Sequence, residues 1–189
     1  PGQAAVAGVV AVVALLAKDL LGGSDRLAGT GSAAFTLGSA FLAVPLSAYM
    51  RRRGRRPGLM LAFGLGAIGA AIAGTAGQLR WFPLYIVGMV FFGGAQAGTL
   101  QGRYIAADLA AEHARAKAIA AIVWVGTLGA VFGPVLTPYE KRLGEAIGLD
   151  EFVGPFFFAS LLLVASLAIV SARLRPDPLA VNGQLDPQA

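Results

Sequence analysis

Five stretches of 21 to 24 residues pass without one charged side chain: 27–50, 57–79, 81–102, 118–139 and 152–172. A bilayer core about 30 Å thick takes about 20 apolar residues per helix, and only helices and closed barrels satisfy their own backbone in lipid. Runs of this length therefore predict membrane-crossing helices. A first run, 1–17, is as apolar but stops at Lys18 and Asp19, so it reads as a sixth span, about 1–22, clipped at its start. Pro1 with no basic flank fits an internal cut, and it fits removal of an initiator Met equally well. The run is a poor signal peptide, because it lacks a charged leading segment and further spans follow it.

Composition narrows the classes further. Of 189 residues, 57% are hydrophobic and 13% charged, with a mean hydropathy of +0.71. A soluble domain is about one-quarter charged, and a disordered chain could not keep this much apolar surface in water. The absence of cysteine excludes a disulfide scaffold, a thiolate metal site and a catalytic thiol. The expected fold is all-α: a polytopic six-helix bundle over 1–175, with 176–189 as the start of a linker, since that tail has two X-Pro breaks and no apolar run.

The net charge of +5 and the pI near 10.1 invite a nucleic-acid reading. The placement of the charges argues for topology instead. Loops after the second, fourth and sixth spans hold Arg51, Arg52, Arg53, Arg55, Arg56, Arg103, Arg115, Lys117, Arg173 and Arg175, ten of the 15 basic residues. Acidic residues distribute the other way, leaving the two sides at +6 and −1. Basic loops stay in the cytoplasm, which puts both ends of the unit on the cytoplasmic side of a cell membrane and leaves no role for nucleic acid.

Inside spans two to six as drawn there is no Asp, Glu, Lys, Arg or His. Such groups are costly in hydrocarbon and mark ion pathways where they occur, so no titratable group is expected in mid-membrane. Small residues carry the packing signal: Gly94 and Gly98, and Gly129 and Gly133, each put two glycines on one helix face. Gly64-Leu65-Gly66-Ala67-Ile68-Gly69 spells the dinucleotide fingerprint, but it lies mid-span where no strand precedes it, so no cofactor is inferred. Pro45 and Pro134 remove helix hydrogen bonds and predict either static kinks or hinges. His113, in the loop 103–117, has no His or Cys partner, and no nucleophile or metal constellation exists.

Polar residues within the spans mark a possible solute cavity, with Gln96, Thr99, Trp124 and Thr127 as its contributors. A buried amide must find partners, so interhelical bonding accounts for Gln96 as well as solute contact does. Trp124, near the start of its span, also suits an interfacial anchor.

Two local patterns carry a family resemblance. Between spans two and three stands Arg51-Arg52-Arg53-Gly54-Arg55-Arg56-Pro57-Gly58. It resembles the G-x-x-x-D-R-x-G-R-R loop of the major facilitator superfamily at Arg52, Gly54, Arg55 and Arg56, with Ser47 and Arg51 in place of its Gly and Asp. In span five, Gly129-x-x-x-Gly133-Pro134 resembles the helix-five motif prominent in drug-efflux members. The stretch as a whole looks like actinobacterial members. The resemblance implies the N-terminal six-helix half of a twelve-helix transporter, with a 3+3 inverted repeat. Thr36-Leu37-Gly38 and Thr127-Leu128-Gly129 stand at corresponding repeat positions. It also implies a C-terminal half as partner, a conformational-switch role for the loop arginines, and pairing of Arg55 with Asp108. The resulting expectation is a secondary transporter of a small solute, with efflux of a drug or metabolite as its direction. A non-transporting membrane scaffold or sensor is the alternative.

Overall fold

The structure, a computed structural model, describes residues 1–23, 27–109 and 112–174, without the side chains of 103–112. Six helices form it: α1 (Gly2–Leu20), α2 (Thr30–Arg53), α3 (Arg55–Gln78), α4 (Phe82–Leu109), α5 (Arg115–Ala146) and α6 (Gly154–Arg173). All six are long and apolar enough to cross a membrane, and no strand occurs among the described residues. The chain is an all-helical membrane bundle. α4 packs most extensively on α3 and α2, α6 on α3, and α1 on α5.

Contacts between backbones hold the bundle, because lipid tails leave no hydrophobic drive between helices and close approach supplies the dispersion energy instead. A Cβ at Gly38 would collide with the carbonyl oxygen of Val90, and one at Gly93 with the amide of Ser39, so α2 and α4 cross backbone to backbone. Gly69 meets Phe92 and Gly88 meets Ala73 in the same way where α3 crosses α4. Gly98 seats on Ala62 of α3, its missing Cβ only 2.7 Å from the Ala62 methyl. Larger side chains fill the remaining centre: Val9, Val13, Leu16, Tyr85, Met89, Phe92, Phe156 and Leu163 are all fully buried. The Tyr85 hydroxyl donates to the Val13 carbonyl at 2.8 Å, giving a buried polar group the partner it requires.

The helices outrun the uncharged runs. α2 continues through Arg53 and α3 begins at Arg55, so the basic segment is two helix ends joined by the single residue Gly54. α5 starts at Arg115 and continues to Ala146, although Pro134 and Pro138 lie within it. Membrane helices tolerate proline where neighbouring groups satisfy the freed carbonyls. The stretch 140–146, beyond the fifth span as drawn, continues α5 as helix, and Glu140 within it is buried. Glu140 lies beyond the charge-free run 118–139, toward the end of α5 that meets the α5–α6 connection. A charge-free window ends at the first charge, whereas a helix ends where its backbone loses partners.

Candidate functional site

The end of the bundle nearest Gln3 holds a cleft where α1, α4 and α5 converge. Its α1–α5 wall is built by the helix-five glycines. A Cβ at Gly129 would lie 3.1 Å from the Ala4 amide nitrogen, and one at Gly133 would lie 2.7 Å from the Ala4 carbonyl and 2.8 Å from the Gly8 nitrogen. Gly129-x-x-x-Gly133 is thus the seat of α1. Pro134 follows directly and lines a separate groove toward the opposite end.

Beside this seat opens a cavity of about 300 Å³ lined by Gln3, Thr99, Ile122, Val123, Thr127 and Ala130, among others. A second, of about 330 Å³, continues from Gln3, Thr99 and Ile122 toward Phe63, Ile169 and Arg173. The two share residues and form one bent cleft running from α5 across α4 to α6. Thr99 donates its hydroxyl proton to the Ala95 carbonyl at 2.8 Å, and Thr127 donates to Val123 at 2.9 Å. Both hydroxyls are therefore left as acceptors toward a ligand. The Gln3 amide adds two donors and an acceptor. No charged side chain lines the first cavity. Among the described residues no cluster of three His, Asp or Glu could hold a metal ion.

Of the four predicted cavity residues, Thr99 and Thr127 line this cleft and the other two do not. Gln96 is half-buried on α4, its Oε1 enclosed and without a hydrogen-bond partner. Trp124 faces outward at 70% exposure. A helix places residues three apart nearly on one face, yet Trp124 lines neither cavity while Thr127 lines the first. Gln3 was not among the predicted contributors. It sits in the first run, where the sequence offered no periodic contrast to mark an inward face.

Arg52, Gly54, Arg55 and Arg56, the loop residues of the predicted switch, lie at the α2–α3 junction. Gly54 is buried with φ 105° and ψ 164°, a region essentially closed to residues with a Cβ. Arg52 is exposed, and Arg55 and Arg56 are half-buried. Arg56 donates from Nη2 to the Ser171 carbonyl at 2.8 Å, fastening the start of α3 to the last turn of α6. A cation at a helix C-terminus also meets the negative end of the macrodipole. The backbone of Asp108 belongs to α4, but its side chain lies outside the described residues.

The opposite end carries an ion network that sequence reasoning passed over. Arg80, at φ 51°, reaches Asp19 at 3.3 Å and Asp150 at 3.9 Å, joining the ends of α1 and α3 to the α5–α6 connection. Gln78 accepts from the Asp150 amide at 3.0 Å. Lys141 pairs with Glu151 and stands 4.5 Å from the Phe152 ring centre.

Known proteins with similar sequences agree with this architecture. A transporter of the MFS type from Bacillus subtilis, YddS, is 39% identical over 184 residues, covering 96% of this chain and 41% of that protein. A second from the same organism, YdeG, is 38% identical over 180 residues, 95% of this chain and 42% of its own length. The riboflavin transporter RfnT of Brucella anthropi is 27% identical over 149 residues, 78% of this chain and 37% of that protein. The chain thus spans about two-fifths of the length of these relatives. No solved structure matches it significantly. The family description Major Facilitator Superfamily matches residues 3–188, so nearly the whole six-helix bundle is accounted for, and the chain belongs to the major facilitator superfamily, a family of membrane transporters.

Proposed function

We propose that residues 1–175 form one half of a secondary transporter that works by alternating access, with a second six-helix unit closing the other side of the cleft. The exposed apolar faces of α2 and α5 support this reading: Phe41 and Val44 are each 74% exposed and Val125 69%. Rocking of two such halves about a solute near mid-membrane is how inverted-repeat transporters operate. In this reading the Gly54 end, with its arginines, faces the cytoplasm of the cell membrane, and 176–189 begin the central linker.

The observation that carries the proposal is the first cavity, lined at Gln3, Thr99 and Thr127 by no charged side chain. A largely apolar wall with one amide and two acceptor hydroxyls suits a neutral, partly apolar small solute. Efflux of a metabolite or drug of that kind fits it, and riboflavin, the solute in the name of one relative, is a rational first probe. Arg55 is proposed to pair with Asp108 in one conformation and to release it in the other.

Flux into proteoliposomes tests the reading, using the parent polypeptide or the chain reconstituted with a second six-helix unit. Gln3→Leu and Thr99→Val are expected to reduce flux of a neutral solute by up to about tenfold, the consequence of losing one hydrogen bond worth at most about 1.4 kcal/mol. Trp124→Phe is expected to leave it unchanged. Absence of flux for every neutral solute, with the bundle intact, favours a membrane scaffold instead.

A further inference from the structure

Pro134 stands inside α5, and proline has no N–H to return to the carbonyl four residues back. That carbonyl belongs to Ala130, which lines the first cavity. The threonine hydroxyls of this region are committed elsewhere: Thr99 donates to Ala95, Thr127 to Val123 and Thr137 to Gly133. The Ala130 carbonyl is thus left without its helical donor, at the last position where α5 lines the cavity.

The α4–α5 wall of the cavity is one-sided in its hydrogen bonding. Its polar side chains are Thr99 and Thr127, each with its proton spent inside its own helix. Backbone N–H groups in mid-helix are spent on the preceding turn. With the Ala130 carbonyl, the wall holds acceptors and no free donor. Water satisfies such groups while the cavity is open, and a solute that displaces the water must supply the same hydrogen bonds or lose affinity. The groove beyond Pro134 differs. There Pro138 frees the Pro134 carbonyl in the same way, but Lys141 and Arg142 line that groove and are rich in donors.

We propose that the Ala130 carbonyl, freed by Pro134, is a specificity-determining acceptor, and that the solute meets the α4–α5 wall with O–H or N–H groups. The proposal rests on the reading of this cleft as a solute site. It narrows a neutral, partly apolar solute to one that carries donors on the side turned to α5, such as an alcohol, a polyol or an amide with a free N–H. A ketone, ether or ester of the same size sets its own lone pairs against those of the wall and leaves the acceptors unpaired. Gln3, on α1, serves either kind of solute group, because its amide both donates and accepts.

Binding of a matched pair of probes tests this without flux. Cyclohexanol offers a hydroxyl donor where cyclohexanone, of nearly the same size, offers only a carbonyl acceptor. NMR titration of the purified full chain in deuterated detergent, referenced to empty micelles, is expected to show the alcohol bound at least about threefold tighter. Pro134→Ala returns an N–H to the Ala130 carbonyl and is expected to lower that preference at least about twofold, with cyclohexanone binding unchanged. Thr127→Val, which removes the neighbouring acceptor, is expected to act in the same direction. Equal affinity of the wild type for the two probes, or binding of neither, overturns the proposal, and so does a preference that Pro134→Ala leaves intact. If Pro134→Ala does not fold, or shifts cyclohexanone binding as well, Thr127→Val decides, and an unmoved preference there overturns it equally. Flux without the preference sinks this inference alone, whereas the preference without flux leaves it standing and counts against transport.

Discussion

Gly54 carries more of the architecture than any arginine beside it. With φ 105° and ψ 164° it is both the last cap of α2 and the first of α3. A Cβ in that region costs about 1–3 kcal/mol. Gly54→Ala is therefore expected to lower the thermal unfolding temperature in detergent, whereas Arg52→Ala, at an exposed position, is expected to leave it nearly unchanged. Equal melting of the two variants would show that the junction relaxes. Arg80 makes a useful contrast, since its φ of 51° falls where a side chain is tolerated. Its pairs with Asp19 and Asp150 are largely exposed, and such pairs contribute at most about 1 kcal/mol each.

Among the elements, α5 depends on how α1 seats against it. The Gly133 site leaves 2.7 Å to a backbone oxygen, and backbone cannot rotate aside as a side chain can. Gly133→Ala is expected to destabilise the bundle by about 1–3 kcal/mol through overpacking, and to lengthen the α1–α5 distance in cross-linking. Gly126, two turns earlier on the same face, has nothing within 4 Å. Its change to Ala is expected to be neutral or to stabilise by up to about 1 kcal/mol, through helix propensity alone. Two glycine-to-alanine changes on one helix should thus have opposite signs in the same melting experiment. If both destabilise, α1 does not seat on Gly133 as described. The same crossing places Gly8 beside Glu140, so the packing motif and the buried carboxyl belong to one junction.

At the scale of the whole molecule, the two ends differ in charge. The end at Gly54 gathers arginines with few acids, whereas the Arg80 end balances Arg80, Lys141 and Arg142 against Asp19, Glu145, Asp150 and Glu151. The chain has no cysteine, so single-cysteine labelling is free of background. Arg52→Cys is expected to react only from the cytoplasmic side of intact cells, and Arg142→Cys only from outside. Labelling of both from one side would refute the proposed orientation. The exposed apolar faces of α2 and α5 set a further condition, because more lipid or a second helical unit must cover them.

Number, character and order of the helices could be read from the sequence, because lipid admits few backbone solutions and a charge-free run of twenty residues has one outcome. The tight α2–α3 junction was not legible, because the basic run read as a loop between two spans, whereas the helices continue through it to meet at Gly54. The seat of α1 was legible only as a spacing, Gly129 and Gly133, without its partner. Tertiary structure alone decided which polar residues share a cleft. Thr99 and Thr127 meet there with Gln3, while Trp124 turns outward, since inward and outward faces of a membrane helix are similarly apolar and periodicity is nearly silent. It also decided the standing of Glu140. Counting charges ends a span at the first acid, but Gly8 of α1 lies beside the Glu140 carboxyl and Gly154 brings α6 against its backbone carbonyl. Burial of that kind belongs to the crossing of three helices and is written in no single one of them.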